Sequence, residues 1–504
     1  MGNKVLLIIC DGMGYREEKE HNAIAQADTP NLDKYFRGYP WALLGASGED
    51  VGLPEGQMGT SEANHLVMGS GRIIYQNLVK INKHIESGEL KNNPAIREAL
   101  DHVKKFKSVL HINGMISPGG VHGHVSHVKA LIKIAKDAGV KKIELHLITD
   151  GRDVPPKSAI GYINDLENYL KKENIGKIAT IGGRYWGMDR DTNLDRTERH
   201  FMVLTKSQQP RFKSAVHAVE KAYENDLAND EFLEPAVIAD HEEETGKISA
   251  NDALVFTNFR SDRARQLARK FIDEKIENLK FVTMTKYDDD YDTLDVSVAF
   301  PPEKIVHPLS EVLSREGIKQ LKITETEKYS HLTFYFNAQK YEAFAGEDRI
   351  MINSNKISWH DAKPEMKVFE IADRICAEID KSQYDFIATN FVNCDLVGHT
   401  GNMPAIIKGV EAIDKAIGLV AEKAKKAGWD VLITADHGNA EETFDPVINQ
   451  PITSHTLNPV PFILISDEHK KLNKKRALLS DVAPTILKIM DIKKPEEMTG
   501  ESLV

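Results

Sequence analysis

The sequence predicts an α/β protein of two three-layer domains, each with helices packed on a mostly parallel sheet. Three observations carry this. The chain has 504 residues, too many for one hydrophobic core. Short apolar runs rich in Val and Ile recur at 5–9, 109–113, 143–148, 178–181, 253–257, 281–285, 386–389, 431–434 and 462–465. Runs of that length suit strands buried on both faces of a parallel sheet. Between them lie helical stretches at 126–140, 369–379 and 405–424. In the first of these Val128, Leu131, Ile132 and Ala135 share a face, and Gly139 ends the pattern.

Composition narrows the class. Hydrophobic residues make up 41% and charged residues 28%, which excludes wholesale disorder. The net charge of -11 argues against a nucleic-acid partner. An anionic substrate therefore needs a local basic pocket in an acidic exterior. Cys10, Cys376 and Cys394 are too few and too scattered for a disulfide framework and fit a reducing compartment. The apolar run at 5–10 meets Asp11 too soon to be a signal peptide or a membrane span. The Met1-Gly2 start, with Leu6 where Ser or Thr is usual, is a weak lipidation cue. A cytoplasmic protein with no membrane partner is expected.

In open parallel sheets function collects at the C-terminal ends of strands. Three such ends carry an acid close to glycine: Asp11-Gly12, Asp150-Gly151 and Asp436-His437-Gly438. Asp395 and His399 are four apart, so on a helical turn they share a face and can grip one ion. Ser454-His455-Thr456 precedes the run at 462. Taken singly, an Asp after a strand is usually a turn residue or helix cap, and a His an ordinary hydrogen-bonded side chain. The group as a whole reads as a mixed oxygen–nitrogen site for manganese, zinc or magnesium.

Gly56 and Gly59 precede Thr60-Ser61-Glu62, and a short helical pattern follows. A hydroxyl at a helix N-terminus meets backbone N–H groups that favour anions. On that footing Ser61 is a candidate nucleophile; the plain alternative is a helix cap. Basic clusters follow three strands, at Arg152-Asp153, at Arg184 with Arg190, and at Arg260 with Arg263. Arginine pairs with phosphate and carboxylate in a bidentate way, so a small substrate carrying both is expected, although such clusters also form surface salt bridges. His122 lies in the loop Val121-His122-Gly123-His124, which suits either a metal or a polar substrate contact.

The stretches LLIICDGMG, GQMGTSEANHLVMGSGRIIYQ, HGHVSH, ITDGRDVPP, GGRYWGMDRD, NFRSDRARQL, TETEKYSHLTFYFN, NCDLVGHTGN, TADHGNAE and SHTLNPVPF run in order along nearly the whole chain. In them it resembles the cofactor-independent phosphoglycerate mutases, of the alkaline phosphatase superfamily. The resemblance implies a phosphatase-like domain at 1–77 and 310–504, with a second α/β domain inserted at 78–309. It implies two divalent ions, manganese first, and no 2,3-bisphosphoglycerate. Ser61 then resembles the phosphorylated nucleophile, and Lys328 the lysine that neutralises the phosphoryl group. One ion falls to Asp395, His399 and His455, the other to Asp11, Ser61, Asp436 and His437. The implied substrate contacts are His122, Arg152, Asp153, Arg184, Arg190, Arg260, Arg263 and Lys328. The implied reaction interconverts 3-phosphoglycerate and 2-phosphoglycerate through a phosphoserine, on a monomer whose inserted domain closes to exclude water. The sequence departs from the family pattern at Thr60, Ala63, Asn64 and Ser261, where Asn, Val, Gly and Pro are usual. Rival readings are a plain metal-dependent phosphatase, a mutase acting on phosphopentoses, and a metal-stabilised binding protein without turnover.

Overall fold

A computed structural model describes residues 3–208, 210–239 and 246–504; the lipidation cue at Met1-Gly2 lies outside them. The chain divides into two compact units, Met1–Gln76 with Lys304–Val504, and Asn77–Glu303. The sequence reading drew these edges at 77/78 and 309/310. Asn77 opens the helix Asn77–Glu86, and 301–308 form no regular element before the helix Leu309–Arg315.

The first unit is built on eight strands in the order Glu347–Ile352, Gln320–Glu325, Phe386–Phe391, Lys4–Cys10, Trp429–Thr434, Val460–Ile465, Trp41–Gly45 and Arg476–Leu478. Lys4–Cys10 is central and pairs in parallel with Phe386–Phe391 on one side and Trp429–Thr434 on the other. Every residue of those two neighbours is buried, so both faces of the sheet are covered. Val460–Ile465 is as apolar as the rest but runs antiparallel to both its neighbours. Apolar content reports burial, not direction. Trp41–Gly45 was missed in the sequence; it is short and alternates in burial.

Among the described residues the second unit has eight strands in the order Val296–Phe300, Lys280–Thr285, Ala253–Phe256, Leu110–Met115, Ile143–Thr149, Lys177–Gly183, Ala236–Ile238 and Arg211–Phe212. Alternate residues of one strand feed two different cores. Ala253 and Val255 belong to one apolar cluster, Leu254 and Phe256 to the other. Three layers result, helix on sheet on helix. From Leu110–Met115 the chain winds one way through 143–149 and 177–183; from Ala253–Phe256 it winds the other way through 280–285 and 296–300. The crevice between 110–115 and 253–256 is thus a topological switch point, where ligands of such sheets bind.

Among the described residues no helix is long and apolar enough to cross a membrane.

Candidate active site

Four neighbouring strands of the first unit end in functional groups. Asp11 follows Lys4–Cys10, and Asp436 and His437 follow Trp429–Thr434. Asp395 lies in the short helix Asn393–Gly398 after Phe386–Phe391, and Lys328 follows Gln320–Glu325. Ser61 is the first residue of the helix Ser61–Ser70; the cap is Thr60, whose side chain accepts from Ala63 N. The hydroxyl of Ser61 is therefore not spent on capping.

Lys328 is buried and uses its three N–H bonds on three partners. It donates to Ser61 Oγ at 2.6 Å and lies 2.8 Å from Asp11 Oδ1 and 2.7 Å from Asp395 Oδ2. Burial works against its charge, but Asp11, Asp395 and Asp436 carry it well above the usual lysine range. Ser61 Oγ also lies 2.9 Å from His437 Nε2, and His437 Nδ1 faces the Gly438 carbonyl at 3.3 Å. With the ring proton on Nδ1, the hydroxyl of Ser61 donates to Nε2. Burial keeps that ring neutral, with its pKa lowered to about 4.

Beside them, His399 Nδ1 donates to Thr453 O and His455 Nδ1 to Gly59 O. Their Nε2 lone pairs therefore point the other way, 3.3 Å apart. Both face Asp395 Oδ1, at 3.0 and 3.1 Å. Three acceptors meeting without a hydrogen between them is an arrangement that a cation satisfies, and histidines anchored by backbone carbonyls are its usual ligands. Burial opposes charge on His455, yet Asp395 and the Gly59 carbonyl raise it to about 9. The pocket attracts positive charge, as a proton or as an ion. Burial and the neighbouring Asp436 push Asp11 well above the carboxylate range. Asp436 Oδ2 is buried with no hydrogen bond. Three buried carboxylates facing one ammonium leave negative charge in excess. Ligand atoms of Asp395, His399 and His455, and of Asp11, Asp395 and His437, lie within 4.8 Å of one another. The donor set fits divalent ions.

The same proximity holds for Asp11, His65 and Asp436. Sequence reasoning passed over His65, although it lies one helical turn beyond Ser61. Both its nitrogens are spent: Nδ1 donates to Ser61 O at 2.9 Å, and Nε2 accepts from Asn390 Nδ2 at 3.2 Å. Asn390 also donates to Asp11 Oδ2 at 2.7 Å. These two residues support the carboxylates from below. Asn64, at a departure from the family pattern, donates to the carbonyls of Asp436 at 2.7 Å and Ala46 at 2.9 Å.

In the second unit the strand ends at 110–115, 143–149, 177–183 and 253–256 bring together the basic residues. Arg184 is buried and pairs with Asp150 and Asp153, each at 2.6 Å. Arg152 pairs with Glu231 at 2.8 Å. Asp262 faces three groups: Arg190 at 3.0 Å, Arg260 at 3.0 Å and His122 at 3.8 Å. Burial, with Arg184 adding to it, lowers His122 to about 4. Arg263 donates to the Met188 carbonyl at 3.3 Å and feels Arg190, Arg184 and Arg152 as like charges. Asp150, Glu231 and Asp262 were not singled out as partners in the sequence, because an acid beside arginines reads equally as turn or surface. Ser261 opens the helix Ser261–Glu274 where the family commonly has proline, and both suit a first helical position.

Residues 81–289 match the family model described as BPG-independent PGAM N-terminus, and residues 296–480 that of type I phosphodiesterase / nucleotide pyrophosphatase. A protein of Methanosarcina barkeri named 2,3-bisphosphoglycerate-independent phosphoglycerate mutase 1 is 47% identical, covering 99% of this chain and 98% of its own. A protein of Clostridium acetobutylicum named 2,3-bisphosphoglycerate-independent phosphoglycerate mutase is 45% identical, covering 99% of each. Among solved structures, Leishmania mexicana phosphoglycerate mutase at low cobalt concentration is similar with a TM-score of 0.54 and 28% identity, covering 100% of this chain and 98% of that one.

Proposed function

The chain belongs to the family of 2,3-bisphosphoglycerate-independent phosphoglycerate mutases, and on that premise we propose that it interconverts 3-phosphoglycerate and 2-phosphoglycerate, with Ser61 carrying the phosphoryl group in between. The observation that supports this most is the hydroxyl of Ser61, buried between Lys328 and His437 beside converging, unsatisfied carboxylates and imidazoles.

One divalent ion is assigned to Asp395, His399 and His455, and a second to Asp11, Ser61, Asp436 and His437, with manganese the first candidate for both. When bound, such ions offset the carboxylates and stabilise negative charge on a phosphoryl group in transfer. The chain's own groups do the rest. Ser61 Oγ attacks phosphorus in line, and the bond to the substrate oxygen breaks. Lys328 Nζ, already against Ser61 Oγ, meets the charge that gathers on the phosphoryl oxygens. The cluster of His122, Arg152, Asp153, Arg184, Arg190, Arg260 and Arg263 grips the carboxylate and hydroxyls of glycerate, which is not released. Glycerate turns, its other hydroxyl takes the phosphoryl group, and Ser61 is restored. The reaction is placed in the cytoplasm, on a monomer.

The test is a coupled assay. Protein stripped of metal and given Mn2+ receives 3-phosphoglycerate without 2,3-bisphosphoglycerate, and enolase reports 2-phosphoglycerate. Wild type turns over and Ser61→Ala does not. Release of inorganic phosphate without 2-phosphoglycerate would replace this reading with a phosphatase.

A further inference from the structure

Glu441 belongs to neither set of ligands above, yet it is fully buried. Its carboxylate accepts four hydrogen bonds. Gly14 N donates to Oε2 at 3.0 Å, and Asn439 N to the same oxygen at 2.9 Å. Asn458 Nδ2 donates to Oε1 at 3.0 Å, and so does Thr456 Oγ1. The Thr456 hydroxyl accepts from Asn458 N, which leaves its hydrogen for Glu441. Four donors saturate a carboxylate. They come from three loops, those that carry Asp11, Asp436 with His437, and His455. The socket is shaped for this group. A Cβ on Gly14 would stand 2.3 Å from Glu441 Cδ, and one on Gly438 would stand 2.3 Å from Oε1. Both positions must be glycine for the carboxylate to enter.

We infer that Glu441 is a positioning residue for the metal sites. It touches no ion itself; it locks three ligand-bearing loops onto one anion and so sets the spacing of Asp11, Asp436, His437 and His455. The inference rests on the ligand assignment proposed above. It also predicts which site is more easily disturbed. The N–H groups of Gly14 and Asn439 are backbone donors and cannot turn. In Glu441→Gln the amide oxygen therefore stays with them, and the new NH2 group faces Thr456 and Asn458. The loop of His455 loosens, and the ion assigned to Asp395, His399 and His455 weakens more than the other.

The experiment is a Mn2+ titration of metal-stripped protein, with free Mn2+ read by electron paramagnetic resonance, for wild type, Glu441→Gln and Thr456→Val. Wild type takes up two ions tightly. Glu441→Gln keeps one of them and binds the other about 10- to 100-fold more weakly, the usual cost of losing a group that orients ligands. Thr456→Val weakens the same ion by a smaller factor, and it carries the test alone if Glu441→Gln does not fold. A purely structural Glu441 would lower the urea midpoint and leave the affinities of the folded protein at wild-type values; that result overturns the inference. Wild-type protein that holds no Mn2+ overturns the ligand assignment first, and this inference with it.

Discussion

The two clusters of charge differ in what they lack. In the first unit Asp11, Asp395 and Asp436 are buried with one ammonium among them, and imidazole lone pairs face the same space. That cluster lacks positive charge and has nowhere to relax, since a buried charge must be met at a fixed position. In the second unit the guanidinium groups of Arg152, Arg190 and Arg260 already face carboxylates, and each side chain is about half exposed. Exposed pairs of this kind are worth little and exchange readily. One cluster suits a permanent resident, the other a ligand that comes and goes.

The largest test of this contrast is Ser61→Ala. Turnover falls on the order of 10^4-fold or more, as for the loss of other nucleophiles; in the coupled assay, a loss of less than tenfold would break the assignment. Next is Lys328→Met. It removes the one ammonium beside Ser61, and kcat falls about 10^2- to 10^3-fold, with KM little moved. A change in KM alone would transfer Lys328 to binding. The third concerns buried titratable groups of the second unit that take no part in binding. His200 is buried with no partner on either ring nitrogen, and burial lowers it to about 4. A histidine depressed in the fold is protonated first in the unfolded chain. Its contribution is intact above the ordinary histidine value near 6.5 and is lost as pH falls toward 4. Between pH 7 and pH 5 it costs on the order of 2 kcal/mol, read as a falling urea midpoint that His200→Leu flattens. The smallest effect is Arg263→Ala. KM for phosphoglycerate rises about tenfold, the value of one charge-assisted hydrogen bond, with kcat near wild type. Arg190→Ala gives less, because Asp262 already shares that charge; steady-state kinetics of both variants would order them.

Apolar runs made most strand positions legible. The run at 386–389 became Phe386–Phe391 and the run at 178–181 became Lys177–Gly183. Direction and order were not legible, since Val460–Ile465 and Trp429–Thr434 have the same texture and run opposite ways. The proximity of Asp395 and His399 follows from spacing on one helical turn. That His455 meets them does not, because its loop is placed by long-range contacts with Gly59 and Glu441. Groups such as Asn390, Glu441 and Asp262 have no signature of their own. A carboxamide or carboxylate becomes informative only once its donors are known, and those lie in distant parts of the chain.

The central place of Lys4–Cys10 has a consequence for synthesis. It is the first strand to leave the ribosome, and both its neighbours lie near the other end of the chain, at 386–391 and 429–434. At roughly 5–20 residues per second, reaching residue 434 takes on the order of 20–90 s. During that time an apolar edge with unpaired backbone groups has no native partner, while all eight strands of the second unit have already been made. Nascent chains halted before residue 386 should therefore hold a protease-resistant core from 77–303 and an N-terminal segment that depends on chaperones to stay soluble.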